Sequence, residues 1–259
     1  MKYKKWEEGQ DRWTSINQRD KDTDEEELPI IMKYGQVAGG IFVRRINRFV
    51  AEVEIEGRRE AVHVKNTGRL KELLVPGARA ILEVSGSEAR KYRHSLIAVE
   101  KDGVLVNIDS QAPNAVVHEA MVAGKVRQLG HLHTVKREVV WGNSRFDLHY
   151  EKDGRKGYME VKGVTLLQDG VAMFPDAPTS RGRKHVLELI DAVREGCEGV
   201  ILFLVQTKGA RYFAPHAMMD PPFAEALREA ASAGVHVLAY DAEVLESSIV
   251  FGEPLEVKL

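Results

Sequence analysis

The sequence predicts two domains in series, a small β-barrel followed by a layered α/β domain, preceded by a charged tail. Three observations carry this reading. From Gly40 to Asp109 short apolar runs are separated by turn signals at Glu56-Gly57, Pro76-Gly77 and Asp102-Gly103. Beyond residue 110, helical and strand periodicities alternate. The length of 259 residues exceeds the usual single-domain size, and 44% hydrophobic residues suffice for real cores.

The tail comes first. Residues 1–27 carry 6 basic and 9 acidic groups and end in Asp24-Glu25-Glu26-Glu27, just before Leu28-Pro29. Without a sustained apolar period, residues 1–32 are expected to be flexible. Trp6 and Trp13 offer two side chains that could anchor this stretch.

Residues 33–109 read as five or so short strands, the pattern of an OB-like barrel, a fold that commonly binds single strands or oligonucleotides on an exposed face. Charge supports that use. Residues 33–107 hold 14 basic and 9 acidic groups, a balance of +5, whereas the tail stands at −3 and residues 108–259 at −4. Arg44, Arg45, Arg48, Lys65, Arg69 and Lys71 are candidate phosphate contacts. Arg90, Lys91, Tyr92 and Arg93 are stronger ones, because basic groups flank a ring able to stack on a base; the alternative is a solvated basic loop. Asn66 or Thr67 would cap a short helix implied by Leu70, Leu73 and Leu74, which leaves Arg69 to reach phosphate.

Residues 110–259 supply the second domain. Pro113-Asn114 caps an amphipathic helix from Ala115 to Ala123, stopped by Gly124, with Glu119 beside its apolar stripe. A hairpin follows, turning at Lys152-Asp153-Gly154. Arg181 to Cys197 reads as a helix that buries Val186, Leu187, Leu189, Ile190 and Val193. Gly199 to Gln206 is a nearly continuous apolar run, as a strand buried on both faces requires. Pro222 to Ala233 gives another helix and His236 to Tyr240 another strand. This order is that of a PD-(D/E)xK restriction-endonuclease-like core.

The hairpin carries the chemistry. Phe146, Leu148 and Tyr150 are expected on one face of its first strand, with Asp147 and His149 on the other; on its second strand Glu160 and Lys162 share a face. Two carboxylates and an ammonium can thus meet. Asp147 and Glu160 are expected to hold Mg2+ or Mn2+, with Glu119 either joining them from the helix or standing as a solvated helix-face carboxylate, and Lys162 to position the attacking water. Glu-x-Lys alone is weak: about two or three copies are expected by chance, and Glu256-Val257-Lys258 repeats it. The alternative is a cross-strand salt bridge on a solvated face. Arg181, Arg183 and Lys184 stand at a helix start, where they oppose the helix dipole, so an anion-binding role is expected of them. Asp176 is expected either to form a turn or to orient those arginines, and Gln206 to contact the same site, both as supporting residues.

Taken together, Asn47-Arg48-Phe49, His63, Asn66-Thr67-Gly68-Arg69-Leu70, Leu73-Leu74-Val75-Pro76-Gly77-Ala78, Pro113-Asn114, Ser144-Arg145-Phe146-Asp147, Glu160-Val161-Lys162, Phe174-Pro175-Asp176-Ala177 and Arg181-Gly182-Arg183-Lys184-His185 resemble the sugar fermentation stimulation protein family (SfsA). The matching stretches run from about Arg44 to Tyr240. The resemblance implies an OB-like barrel joined to a PD-(D/E)xK-like domain, and DNA binding with a role in regulating sugar catabolism genes. One departure from the nuclease motif is Ser144-Arg145-Phe146 before the aspartate, where that motif has proline.

Two functions follow as expectations: a divalent-metal-dependent nuclease acting on DNA, or a DNA-binding transcriptional regulator that uses the nuclease fold without catalysis. No phosphate-cradling glycine loop or dinucleotide fingerprint is present. The lone Cys197 excludes an intramolecular disulfide. With no signal peptide and no apolar run long enough to span a bilayer, the expected location is cytoplasmic, with no membrane partner.

Overall fold

Antiparallel hairpins build the first half of the chain. The computed structural model describes residues 31–259 except Glu88, so the expected tail lies outside the described residues up to residue 30. Its last two residues do not behave as tail, because Ile31 and Met32 belong to strand β1 (Ile31–Lys33). After it come β2 (Val37–Asn47), β3 (Val50–Ile55), β4 (Arg58–Val64), β5 (Arg79–Val84) and β6 (His94–Lys101). These five close into a ring in the order β2-β3-β4-β6-β5. Closure is made by parallel pairing of β4 with β6, where His63 faces Ser95 and Val64 faces Leu96. Phe42, Val53, Val62, Leu82 and Leu96 fill the interior. Strand β7 (Val104–Asn107) pairs with β6 after a turn at Asp102 and Gly103, whose φ values of 53° and 78° match the twist of a two-residue hairpin.

The helix expected around Leu70 to Leu74 is absent. Leu70 adopts φ 48°, and its carbonyl accepts from both Leu73 and Leu74 amides in one isolated turn. Asn66 does not cap a helix either: its Oδ1 accepts from the Gly68 amide at 2.7 Å, and its Nδ2 donates to the Ile108 carbonyl at 2.9 Å. A left-handed residue at the start of the turn prevents helix propagation.

The second half is a three-layer sandwich. Its elements are α1 (Ala112–Val122), β8 (Thr134–Trp141), β9 (Ser144–Lys152), β10 (Arg155–Val164), β11 (Leu166–Gln168), β12 (Val171–Phe174), α2 (Ser180–Arg194), β13 (Glu198–Val205), β14 (Tyr212–Pro215), α3 (Pro221–Ser232), β15 (His236–Leu245), β16 (Ser248–Pro254) and β17 (Glu256–Val257). A seven-stranded sheet runs β1-β16-β15-β13-β10-β9-β8, and β11-β12-β14-β17 form a smaller one. Helix α1 packs with Leu148, Tyr150, Met159, Val161, Leu202 and Tyr240 on one face. Helices α2 and α3 cover the other face with Phe146, Tyr158, Ile201 and Phe203. The run of β13 is buried along both faces because it is central and parallel to β10 and β15. Cys197 falls after α2 and is half-buried against this second core. Among the described residues no helix is long and apolar enough to cross a membrane.

The domains meet through polar groups. Gln206 Nε2 donates to Asn107 Oδ1 at 2.8 Å and to the Asp109 carbonyl at 3.1 Å, while the Asn107 amide returns a bond to the Gln206 carbonyl at 2.9 Å. Asn107 Nδ2 donates to the Tyr34 hydroxyl, and Lys65 bridges Asp109 and Glu83. The linker from barrel to helix α1 is thereby fixed from both sides.

Candidate metal centre and nucleic-acid surface

The ladder between β9 and β10 opens at the candidate site. Pairing runs from Lys152 opposite Arg155 to Leu148 opposite Met159 and stops there. The next two residues are Asp147 and Glu160. Asp147 fills the fork: its Oδ2 accepts from the Val161 amide at 2.9 Å, and its Oδ1 from Asn114 Nδ2 at 2.7 Å. This breaks the alternation expected of β9. Phe146 packs beneath α2, whereas Leu148 and Tyr150 pack beside α1, so the three do not share a face. Asn114 lies in the first turn of α1, which begins earlier than expected, with Gln111 at the N-cap position and without a side-chain cap. Its amide serves the carboxylate instead.

Glu160 sits on the α2 side and is 3% exposed. Its Oε1 accepts from Lys162 Nζ at 2.5 Å and from His185 Nδ1 at 2.5 Å. Because an ionised carboxylate offers only acceptors, Nδ1 is the protonated imidazole nitrogen. Glu160 Oε2 is buried with no hydrogen-bond partner among the described residues. The second Glu-x-Lys copy differs sharply. Glu256 and Lys258 are exposed, 3.3 Å apart, and Lys258 stacks over Tyr212. Burial, and not the triplet, distinguishes the first copy.

The two carboxyl groups shift in opposite directions. Burial and then the charge of Glu160 push Asp147 above its ordinary value, against the Val161 amide, Lys162 and Asn114. For Glu160, burial also opposes ionisation, but the His185 hydrogen bond and the charge and hydrogen bond of Lys162 outweigh it and hold the group below its ordinary value. Charge–charge repulsion inside a partly dry fork is the expected cost of bringing two carboxylates together.

Does this donor set suit a metal? Mg2+ and Mn2+ take oxygen ligands, and Mg2+ keeps several waters while binding one or two carboxylates. Asp147 and the uncommitted Oε2 of Glu160 meet that requirement. Glu119 does not join them: it is exposed, and the charges acting most strongly on Asp147 are Glu160 and Lys162. Among the described residues no three His, Cys, Asp or Glu side chains cluster for a metal. The inward stripe of α1 is Pro113, Val116, Val117 and Ala120, which leaves position 119 outside.

His185 is the site residue that periodicity missed. It lies in the buried stripe of α2 with Gly182, Val186 and Leu189, where an apolar residue is the rule. A titratable group at such a position was the available signal. Arg181 and Arg183 are exposed at the start of the same helix, and Lys184 reaches Glu188 at 3.6 Å. Thr179 caps the helix, accepting from the Gly182 amide at 3.0 Å. Gln206, expected to contact the site, is instead spent on the domain junction.

On the barrel the basic candidates divide. Arg44 pairs with Glu52, and Lys65 with Glu83 and Asp109. Arg45 is committed to backbone, donating to the carbonyls of Asn47, Arg48, Asn66, Gly68 and Arg69. Arg48, Arg69 and Lys71 remain exposed around a groove of about 690 Å³ that reaches Ala177 of the second domain. Asp176 flanks this groove, since its Oδ2 would lie 3.1 Å from a Cβ added to Gly68. A second cleft, of about 390 Å³, takes in Arg90, Lys91 and Tyr92, with Arg93 exposed outside its lining.

Comparison with known proteins follows the same division. Residues 43–108 match the family model for the SfsA N-terminal OB domain, and residues 111–248 match that for the sugar fermentation stimulation protein RE domain. The chain belongs to the sugar fermentation stimulation protein (SfsA) family. A sugar fermentation stimulation protein homolog of Alkaliphilus oremlandii is 48% identical over 231 residues, covering 87% of this chain and 98% of the relative. One from Clostridium botulinum is 51% identical over 219 residues, covering 84% and 95%. Among solved structures, Pyrococcus furiosus SfsA in complex with Ca2+ aligns with a TM-score of 0.82 at 31% identity, over 90% of this chain and all of that one. SfsA membership accounts for both the closed barrel and the α/β domain beside it.

Proposed function

We propose that this SfsA-family protein is a divalent-metal-dependent nuclease that binds DNA across both domains. The observation that carries the reading is the buried pair at the fork, in which burial and then the charge of Glu160 raise Asp147. Such an arrangement is costly without a function, and perturbed carboxyls in one place mark candidate sites. The Ca2+ of the Pyrococcus furiosus relative supports it as well, because calcium takes the same class of oxygen ligand.

Asp147 and Glu160 would hold the cation, with Glu160 presenting its unpartnered Oε2. A divalent cation bound there supplies charge stabilisation at phosphate and makes a water more acidic. Asn114 fixes the Asp147 carboxylate, and His185 fixes that of Glu160. Lys162, tethered to Glu160 Oε1, carries the ammonium that meets a phosphate oxygen or orients the attacking water. Arg181 and Arg183, exposed on α2, and Arg48 and Arg69, exposed on the groove, would take backbone phosphates.

A second reading, a DNA-binding regulator without cleavage, draws on one observation. Lys162 and His185 are both spent on one oxygen of Glu160, and no third acidic ligand joins the pair among the described residues. The two readings separate in one assay: binding and cleavage of labelled single- and double-stranded DNA with Mg2+, Mn2+ or chelator, comparing the native chain with Glu160→Ala and Lys162→Ala. Metal-dependent cleavage lost in both variants supports the nuclease. Salt-sensitive binding without cleavage supports the regulator.

A further inference from the structure

The cleft of about 390 Å³ lies at the seam where the barrel closes. Its lining includes His63 and Ser95, the register partners of the parallel β4–β6 pairing, together with Phe49, Arg90, Lys91 and Tyr92. Phe49 is 50% exposed on the β2–β3 turn and is the one aromatic ring among the exposed large hydrophobics of the described residues. Cations already sit against both rings: Arg48 Cζ lies 5.8 Å from the Phe49 centroid and Lys91 Nζ 5.3 Å from that of Tyr92. Among the described residues no acidic side chain lines the cleft. Two aromatic rings on one cleft, each with a basic group over a face, suit a flat, uncharged ring attached to an anion.

The cleft's position narrows the ligand further. Gln111, on its wall, is the N-cap residue of α1, and Asn114, three residues on, holds Asp147. Three residues of helix rise about 4.5 Å. The cleft thus adjoins the carboxylate fork through a single helical turn. The Asn66–Arg69 loop, stapled by Arg45, stands between this cleft and the basic groove leading to Ala177, and Thr67 lines both. A strand crossing that loop would place its backbone along Arg48 and Arg69 and turn a base into the cleft.

We propose that the cleft seats an unpaired nucleotide, so that the protein takes single-stranded segments of nucleic acid in preference to continuous duplex. A base inside a duplex is stacked on both faces and cannot present them to Phe49 or Tyr92, whereas the basic groove serves either form. The proposal rests on the reading of nucleic acid as the ligand class, and its test separates the two.

The test is fluorescence anisotropy with a labelled single-stranded 12-mer and a hairpin duplex of the same sequence, in chelator so that cleavage does not intervene. The native chain is compared with Phe49→Ala, Tyr92→Ala, Tyr92→Phe and Arg183→Ala, each checked for native thermal unfolding. The native chain is expected to prefer the single strand, and each alanine at an aromatic position to weaken it by roughly ten-fold with duplex affinity unchanged. Tyr92→Phe should keep the preference, and Arg183→Ala should weaken both forms together. Binding with no such preference, or a preference untouched by the aromatic variants, overturns the proposal and leaves nucleic-acid binding standing. Binding of neither form overturns both.

Discussion

His185 Nδ1 lies 2.5 Å from Glu160 Oε1, joining a helix to a strand through two side chains that are 8% and 3% exposed. The contact makes α2 part of the carboxylate centre. His185→Ala removes one of the two partners of a buried carboxylate, and the expected cost is about 2 kcal/mol, typical of a hydrogen bond to a charged group. Urea denaturation reads that loss. Because His185 is the largest of the influences lowering Glu160, the same variant should raise the pH at which Glu160 protonates, visible by carboxyl NMR. An unchanged Glu160 titration would show that the imidazole does not hold the carboxylate.

Opposite carboxyl shifts give opposite pH dependences. Glu160, held below its ordinary value, adds stability above its unfolded pKa, and this is lost as pH falls through its folded value. Asp147, raised, does the reverse: its ionisation costs stability at neutral pH, and the penalty is relieved as pH falls through its folded value towards the unfolded one. Asp147→Asn should therefore unfold at a higher temperature than the native chain at pH 7, with the gain shrinking towards pH 4. Thermal scans at both pH values check it; a difference between variant and native chain that did not change between pH 7 and pH 4 would contradict the assigned repulsion.

Arg45 acts as a brace. Its guanidinium bridges the β2–β3 turn and the 66–69 loop through five carbonyls, and burial pushes its pKa down, with the charge of Arg48 adding to the effect. Arg45→Ala is expected to cost roughly 1.5–3 kcal/mol and to speed amide exchange at Gly68. Arg45→Lys should not rescue, because an ammonium lacks the planar fork that reaches several carbonyls at once. Hydrogen-exchange mass spectrometry over residues 66–69 decides the point.

Gln206→Ala should loosen the domain junction without removing any group from the carboxylate fork. It strips Asn107 Oδ1 and the Asp109 carbonyl of a buried donor, at an expected cost of about 1–3 kcal/mol. The readout is a lower urea midpoint with metal affinity unchanged. Loss of metal affinity in this variant would return Gln206 to the site.

Turn chemistry and periodicity made much of this fold legible. Gly-containing turns and short apolar runs specify the barrel hairpins, and the continuous apolar stretch of β13 announces a buried parallel strand. Asp147, Glu160 and Lys162 were readable because a hairpin brings them together at fixed offsets. What stayed hidden depends on contacts distant in sequence. Asn114 reads locally as a cap, yet its amide is drawn to Asp147, 33 residues away. His185 occupies a position that periodicity assigns to the core. Gln206 ends a buried strand near the site, but the barrel linker claims its side chain. Phe146 departs from its expected face because the ladder opens at Asp147, where strict alternation no longer applies. Glu119 takes the second of its two expected settings, an exposed carboxylate outside the buried stripe of α1.

The most direct measurement is calorimetric titration of Mn2+ into the native chain, Asp147→Asn and Glu160→Gln. A binding event is expected in the native chain and is expected to be lost or weakened by at least about ten-fold in both variants, since losing even a group that supports a metal ligand costs that much. Equal Mn2+ binding by all three proteins, or none by the native chain, would contradict the assignment of Asp147 and Glu160 as the metal centre.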